Sequence, residues 1–355
     1  MTRTVSRRRV AAMLGATLAL AACSGTPAPT PTPATTTLVV EPTVAPSKAA
    51  APAPEVPATW PLTGVAGDVV TRPALAVKVE NTAQSRPQTG LDQADVVWET
   101  IVEFDVSRFV AVFQSQVPAE VGPVRSVRPM DMPIAKPLNG LFAYSGAQAP
   151  ILALARSSGL QNFSFDDGDD GFYRTKSRAA PHNVYLSPAT LWGQAEASRV
   201  SPPPQFAFAR TFERASAVSA GAPAQTLSFR LSGASKPTWT WDAASGRWVR
   251  FEGSTPATVV TGAQIAAVNV VSIVAEHPPS GFKAQNNASV PTYNLVGSGE
   301  GTLATGGRTI PVTWSKAAEE APLVLALADG TPATLAPGTT WVELVPRNGG
   351  SLTIS

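Results

Sequence analysis

Sulfur and imidazole are nearly absent from this chain. Its 355 residues include one cysteine, Cys23, and two histidines, His182 and His277. A lone thiol excludes an internal disulfide framework and a cysteine zinc site, so the fold must stand on packing. Charge is sparse as well, at 15% of residues, with 27 basic against 25 acidic. Four of the basic residues, Arg3, Arg7, Arg8 and Arg9, precede Cys23, where there is no acid; without them the balance is 23 against 25. The basic character is thus confined to the start of the chain, and nothing in the rest supports general nucleic-acid binding by a cationic surface. The apolar run Val10–Ala22 is too short to cross a bilayer as a stable helix.

What is present at the start is an export signal. A basic head, the apolar run and Leu20-Ala-Ala-Cys23 follow one another as in a bacterial lipobox, in which the cysteine becomes the lipidated first residue of the mature protein. Ser6-Arg7-Arg8 is compatible with twin-arginine export, although Val10 is a weak match to the bulky residue expected there. With Cys23 lipidated, no thiol remains for nucleophilic chemistry. Residues 24–59 hold nine prolines among Ala, Thr and Ser and read as a tether. Fully extended, it would reach about 110 Å at ~3.1 Å per residue. The expected location is the extracytoplasmic face of the cell membrane, with the globular part held off the surface.

From Trp60 onward the length suits two domains. The expected organisation is a lipoprotein signal over 1–23, the tether over 24–59, a mixed α/β domain over 60–200, a linker over 201–224 around Ser201-Pro-Pro-Pro204, and a mostly β domain over 225–355. The fold class is α+β. In the first part, Leu75–Val79, Asp95–Glu103 and Arg108–Phe113 alternate as strands, and residues 151–158 suit a helix between Pro150 and Gly159. A turn at Phe104–Ser107 would set Glu103 opposite Arg108, and Asp95, Glu99 and Glu103 would share one strand face. In the second part, Thr238–Asp242 and Arg247–Phe251 flank an Ala-Ala-Ser-Gly turn and read as a hairpin. Residues 267–275, 309–314, 323–327 and 341–345 are further strands.

Several spaced motifs occur in order: Pro61-Leu-Thr-Gly64, Arg86-Pro-Gln-x-Gly-Leu-x-x-Ala-Asp95, Ser107-Arg108-Phe109, Gly122-Pro-Val-Arg-Ser-x-Arg128 and Pro181-His-Asn183. Trp241-Asp-x-x-Ser-Gly-Arg247, Gly297-Ser-Gly-Glu-Gly301 and Pro337-Gly-Thr-Thr-Trp-Val-Glu-Leu-Val-Pro346 complete the series. Together they resemble the DUF3048, or YerB-like, bacterial lipoproteins from Pro61 to Pro346. The resemblance implies two family domains and a lipoprotein; it implies no reaction.

The residues themselves point first to the arginines. Gly122-Pro-Val-Arg-Ser-Val-Arg-Pro129 sets Arg125 and Arg128 between prolines that disfavour a continuous helix. If the segment is extended, their side chains diverge; if it turns, they converge. A guanidinium fork fits carboxylate or phosphate. The candidate ligand-binding set is Arg86, Arg108, Arg125, Arg128, Arg178, His182 and Asn183. The competing reading pairs these arginines with Asp95, Glu99, Glu103 and Asp131. Carboxylates four apart on a strand lie about 13 Å apart, too wide for a dyad.

His182 is the candidate for acid–base work, and no catalytic constellation is assigned. Ser145 lacks the preceding glycine of a nucleophile elbow, since Ala143 stands there. Asp166–Gly171 lacks the ligand spacing of a calcium loop, and Gly297–Gly301 lacks the lysine of a phosphate loop. No metal or cofactor is expected. The expectation is a surface-anchored binding or accessory protein whose partners are the membrane, through the lipid, and an anionic envelope ligand or envelope protein. The alternatives are an envelope hydrolase using His182 with a carboxylate, and a scaffold docking through its C-terminal domain.

Overall fold

The computed structural model describes residues 57–284 and 286–355. The signal, Cys23 and all but the last three residues of the expected tether lie outside the described residues. Five strands open the fold: β1 (Leu75–Glu80), β2 (Val96–Ile101), β3 (Ser107–Phe113), β4 (Leu141–Tyr144) and β5 (Gln161–Ser164). β1 pairs antiparallel with β3 and parallel with β4; β2 pairs antiparallel with β3, and β4 parallel with β5. Every residue of β1 to β4 is buried, the state of a sheet covered on both faces.

The sheet continues into the second half of the sequence. β2 pairs in parallel with Thr340–Pro346, which pairs in parallel with Asn269–Ala275; Gly297–Thr305, Arg308–Lys316 and Val324–Ala326 follow outward. A second, six-stranded sheet is built on Thr226–Arg230, Pro237–Asp242, Arg247–Glu252 and Ser351–Ile354. The architecture is α+β, with short helices and a mostly β second half. Residues 206–223 pack on the second half: Ala209 donates to Leu335 O at 2.8 Å and Ser216 to Thr334 O at 2.9 Å. Among the described residues, no helix is long and apolar enough to cross a membrane.

Alternation along β2 and β3 sorts their side chains onto two faces with different tasks. Thr100, Arg108 and Glu80 stand in register across β2, β3 and β1, and Lys78 lies two residues before Glu80 on the same face. The opposite face carries Glu99 beside Glu343 in parallel register, with Phe109 and Trp341. That face packs on the second sheet, where Arg250, fully buried, contacts Glu99 and Glu343 at 2.8 and 2.9 Å. Phe109, Trp239 and Trp341 surround its guanidinium, with ring centroids 4.9 to 5.5 Å away.

The expected hairpin at 238–251 is present, with Asp242 opposite Arg247. The expected helix spans Ala149–Arg156, with Pro150 in its first turn. The β2–β3 turn differs from expectation. β2 ends at Ile101, which faces Ser107, and the Val102 amide donates to Val106 O at 2.9 Å. The turn therefore holds Glu103, and Arg108 faces Thr100 instead. Asp95, Glu99 and Glu103 accordingly do not form one carboxylate face. Asp95 precedes the strand and accepts from the Gln114 and Ser115 amides at 2.6 and 2.8 Å.

Candidate functional site

A cleft of about 870 Å³ opens beside the ends of β1 and β3. Its volume falls within the range of small-molecule sites. The segment Gly122–Asp131 turns along its wall. The Val124 and Arg125 amides are held by Val184 O and Lys78 O at 2.7 and 2.8 Å, and the Val127 amide by Gly146 O at 3.0 Å. Val124 and Val127 are buried. Arg125, Ser126 and Arg128 all line the cleft, so the two arginines converge.

Each arginine is held differently. Arg128 grips Glu103 with two contacts of 2.8 Å, a fork on a carboxylate, and also donates to Val127 O. Burial opposes ionisation of Glu103, but the bond and charge of Arg128 outweigh it and hold the carboxyl below its usual range. Arg125 lies 3.4 Å from Glu80 and donates to Pro181 O at 3.3 Å. Arg108 has a hydrogen bond to Ser126 O at 2.9 Å, yet among the described residues no carboxylate lies within ion-pair distance. It is 8% exposed and lines the cleft. Burial, then the charges of Arg128 and Arg125, outweigh Glu103 and Glu80 and push its pKa down to about 9.

Glu80 is the hub on the other wall. It accepts from Thr82 at 2.9 Å, and its two oxygens lie 2.9 and 3.0 Å from Nδ1 of His182. A carboxylate on Nδ1 favours the proton there, leaving Nε2 as the free lone pair of the neutral ring. Beneath the floor, Lys78 contacts Asp131 at 2.6 Å and Thr100 at 3.0 Å. Asp131 also accepts from the Arg128 amide at 2.7 Å and so ties the arginine segment to β1.

The cleft thus gathers Arg108, Arg125, Arg128 and His182 from the expected set, with Glu103 as a pairing carboxylate. Three expected residues are placed elsewhere. Arg86 bonds Asn81 and pairs with Glu252 at 3.1 Å. Arg178 donates to Gln84 O at 2.8 Å and to Pro87 O. Asn183 accepts from Arg174 at 2.6 Å and donates to Thr175 O. Among the carboxylates, Glu99 serves Arg250, Asp131 serves Lys78, and Asp95 serves backbone amides.

Sequence reasoning missed Glu80, which the alternation of Lys78 and Glu80 within an apolar strand could have flagged. It also missed Phe104. Asp166, set aside with a segment that lacks calcium-loop spacing, lines the cleft, where burial raises its pKa. Among the described residues, no three His, Cys, Asp or Glu side chains are grouped to hold a metal.

Comparisons with known proteins give the family. Residues 62–201 match the N-terminal domain, and residues 227–342 the C-terminal domain, of the family described as "Protein of unknown function (DUF3048)". The chain is 28% identical over 296 residues to "Putative lipoprotein YerB" of Bacillus subtilis (strain 168), covering 81% of this chain and 86% of that protein. The crystal structure of Bacillus subtilis YerB is similar in fold, with a TM-score of 0.70 at 24% identity, covering 83% of this chain and 99% of that one. This chain belongs to the DUF3048 family.

Proposed function

We propose that this member of the DUF3048 family is a lipid-anchored envelope protein that binds an anionic ligand in the cleft through Arg108, with Arg125 and Arg128 supplying the surrounding positive field. The observation that carries this reading is Arg108 itself. It is a nearly buried guanidinium without a carboxylate partner among the described residues, in a place where neighbouring arginines disfavour its charge. A phosphate or carboxylate entering the cleft would supply the missing counter-charge and offset the neighbouring arginines. Structural arginines look different, as Arg128 on Glu103 and Arg250 on Glu99 and Glu343 illustrate.

Thermal melts of the full-length mature chain in detergent, with and without inorganic phosphate, test this. A ligand that binds only the folded state raises Tm with concentration. Phosphate is expected to stabilise the wild type. Arg108→Met is expected to melt near the wild-type temperature and to lose the response, because it removes a charge that folding disfavours. A phosphate response that survives in Arg108→Met would refute the assignment, as would its absence in the wild type.

A second reading has one observation in its favour. His182 and Glu80 form a carboxylate–imidazole pair whose Nε2 has no hydrogen-bond partner among the described residues, as general acid–base work requires. An acid–base role for His182 predicts cleavage of a phosphodiester such as bis(4-nitrophenyl) phosphate that His182→Gln abolishes without lowering phosphate affinity. Binding without turnover would leave the pair as a positioning contact.

A further inference from the structure

Phe104 is the most exposed of the large apolar side chains among the described residues, at 67%, and it lines the same cleft as Arg108. Its backbone is left-handed, at φ 64° and ψ 26°, and Asp105 follows at φ 59°. A bulky L-residue in that region is unfavourable, and glycine or asparagine would occupy it more easily. Such a conformation persists only where the surroundings over-determine it. They do so here. The Val102 amide closes the turn on Val106 O, and Glu103 is clamped by Arg128. Ser232 donates to Asp105 O, and His277 Nε2 lies 3.2 Å from Ile101 O. The turn is therefore fixed from both halves of the sequence, and the result is an aromatic ring turned out of the core toward an arginine-lined cleft.

We infer that Phe104 is a stacking platform for a sugar ring, and that the cleft takes an acidic saccharide: a sugar bearing phosphate or carboxylate, with its acid on Arg108 and its ring on Phe104. This rests on the anion-binding reading and narrows it. An aromatic face carries negative potential and attracts the positive C–H edges that a pyranose presents from its flat side. Val106 and Ile151 extend the apolar wall beside it. Ser126, Gln148, Asn286 and Asp166, also on the lining, supply donors and acceptors for hydroxyls. A cationic guest would suit an exposed ring equally well, but Arg108, which has no carboxylate partner among the described residues, opposes it, while Glu80 and Glu103 are already engaged by Arg125 and Arg128.

Calorimetric titration of the full-length mature chain in detergent separates the possibilities. The probes are inorganic phosphate, acetate, glucose 1-phosphate, glucuronate and octyl phosphate. The wild type is expected to bind glucose 1-phosphate or glucuronate about tenfold more tightly than the parent phosphate or acetate. Phe104→Ala should erase that advantage and leave phosphate affinity unchanged, whereas Phe104→Trp should keep it. Phe104→Gly should also erase it while raising Tm, because it relieves the left-handed strain; a merely structural Phe104 would lower Tm instead. The inference fails alone if phosphate binds but the sugar ring adds nothing, if Phe104→Ala retains the advantage, or if octyl phosphate gains more than the sugar. If none of the probes binds, the anion-binding reading falls and takes this inference with it.

Discussion

Lys78 pays for its position under the cleft floor. Burial first, together with the charges of Arg108 and Arg128, outweighs Asp131 and lowers its pKa from 10.5 to about 8. The sign of the consequence follows from linkage. Below about 8 the lysine is protonated in both folded and unfolded chains, and its penalty is constant. Between about 8 and 10.5 the folded chain releases a proton that the unfolded chain keeps, so stability rises with pH. Urea unfolding from pH 8 to 10 should show this rise. Lys78→Met/Asp131→Leu, which removes both partners, should reduce the slope without abolishing it, because burial also lowers Lys316 to about 8 and Arg108 to about 9. An unchanged slope in the double variant would place the rise elsewhere. Arg125, Arg128 and His182 were legible as candidates because each stands beside or near a stiffening proline, and Arg108 because it lies in the Ser107-Arg108-Phe109 motif. Arg86, Arg178 and Asn183 were indistinguishable from them at that level, since a guanidinium that holds a backbone carbonyl reads the same as one that faces a ligand. Phe104 was illegible because an apolar residue in a turn announces neither its φ nor its exposure.

The pairing of β2 and β3 lets one ribbon serve the cleft on one face and the join between sheets on the other, and the join depends on Arg250. Its charge is opposed by burial but favoured more strongly by Glu99, Glu252 and Glu343. Arg250→Met would strand Glu99 in the interior beside Glu343 and should cost about 3–5 kcal/mol, measured by chemical denaturation. Glu343 is raised well above the usual carboxyl value by burial and by Glu99 beside it. An acid raised in this way holds a proton in the folded chain after the unfolded chain has lost its own, so stability falls as pH rises above about 4.5. Glu343→Gln keeps an acceptor for Trp239 and should make that decline shallower; an equally steep decline would assign it to Asp95 and Asp166, also raised by burial. The strands were legible because alternation and β-branched content are local. The partner of β2 was not. Parallel pairing with Thr340–Pro346 leaves no turn signature, and the end of β2 at Ile101 is set by the five-residue loop that follows, not by the apolar pattern that runs on to Val102.

At the scale of the whole molecule, anchoring and folding make separate predictions. We propose Cys23 as the attachment point, on the strength of its lipobox-like segment, so Cys23→Ala should move the protein from the membrane fraction to the soluble fraction; retention in the membrane fraction would refute lipid anchoring at that residue. Folding concerns the two family regions, which share one sheet: β2 and Thr340–Pro346 are hydrogen-bonded neighbours, and Arg250 bridges Glu99 and Glu343 from the second sheet. Cutting the chain near residue 224 would expose an unpaired β2 edge on one piece and leave Arg250 and Glu343 without Glu99 on the other. Both losses fall on buried groups, where stranded charge and open backbone are most costly. We therefore expect residues 57–224 and 225–355, produced separately, to lack cooperative thermal transitions, and the intact chain to melt in one transition. Limited proteolysis should cut 24–59 and spare 201–224, where residues 206–223 pack on the second half. Two independent transitions in the intact chain, each matched by one of the pieces, would instead establish the regions as separate folding units and make the shared sheet an interface between them.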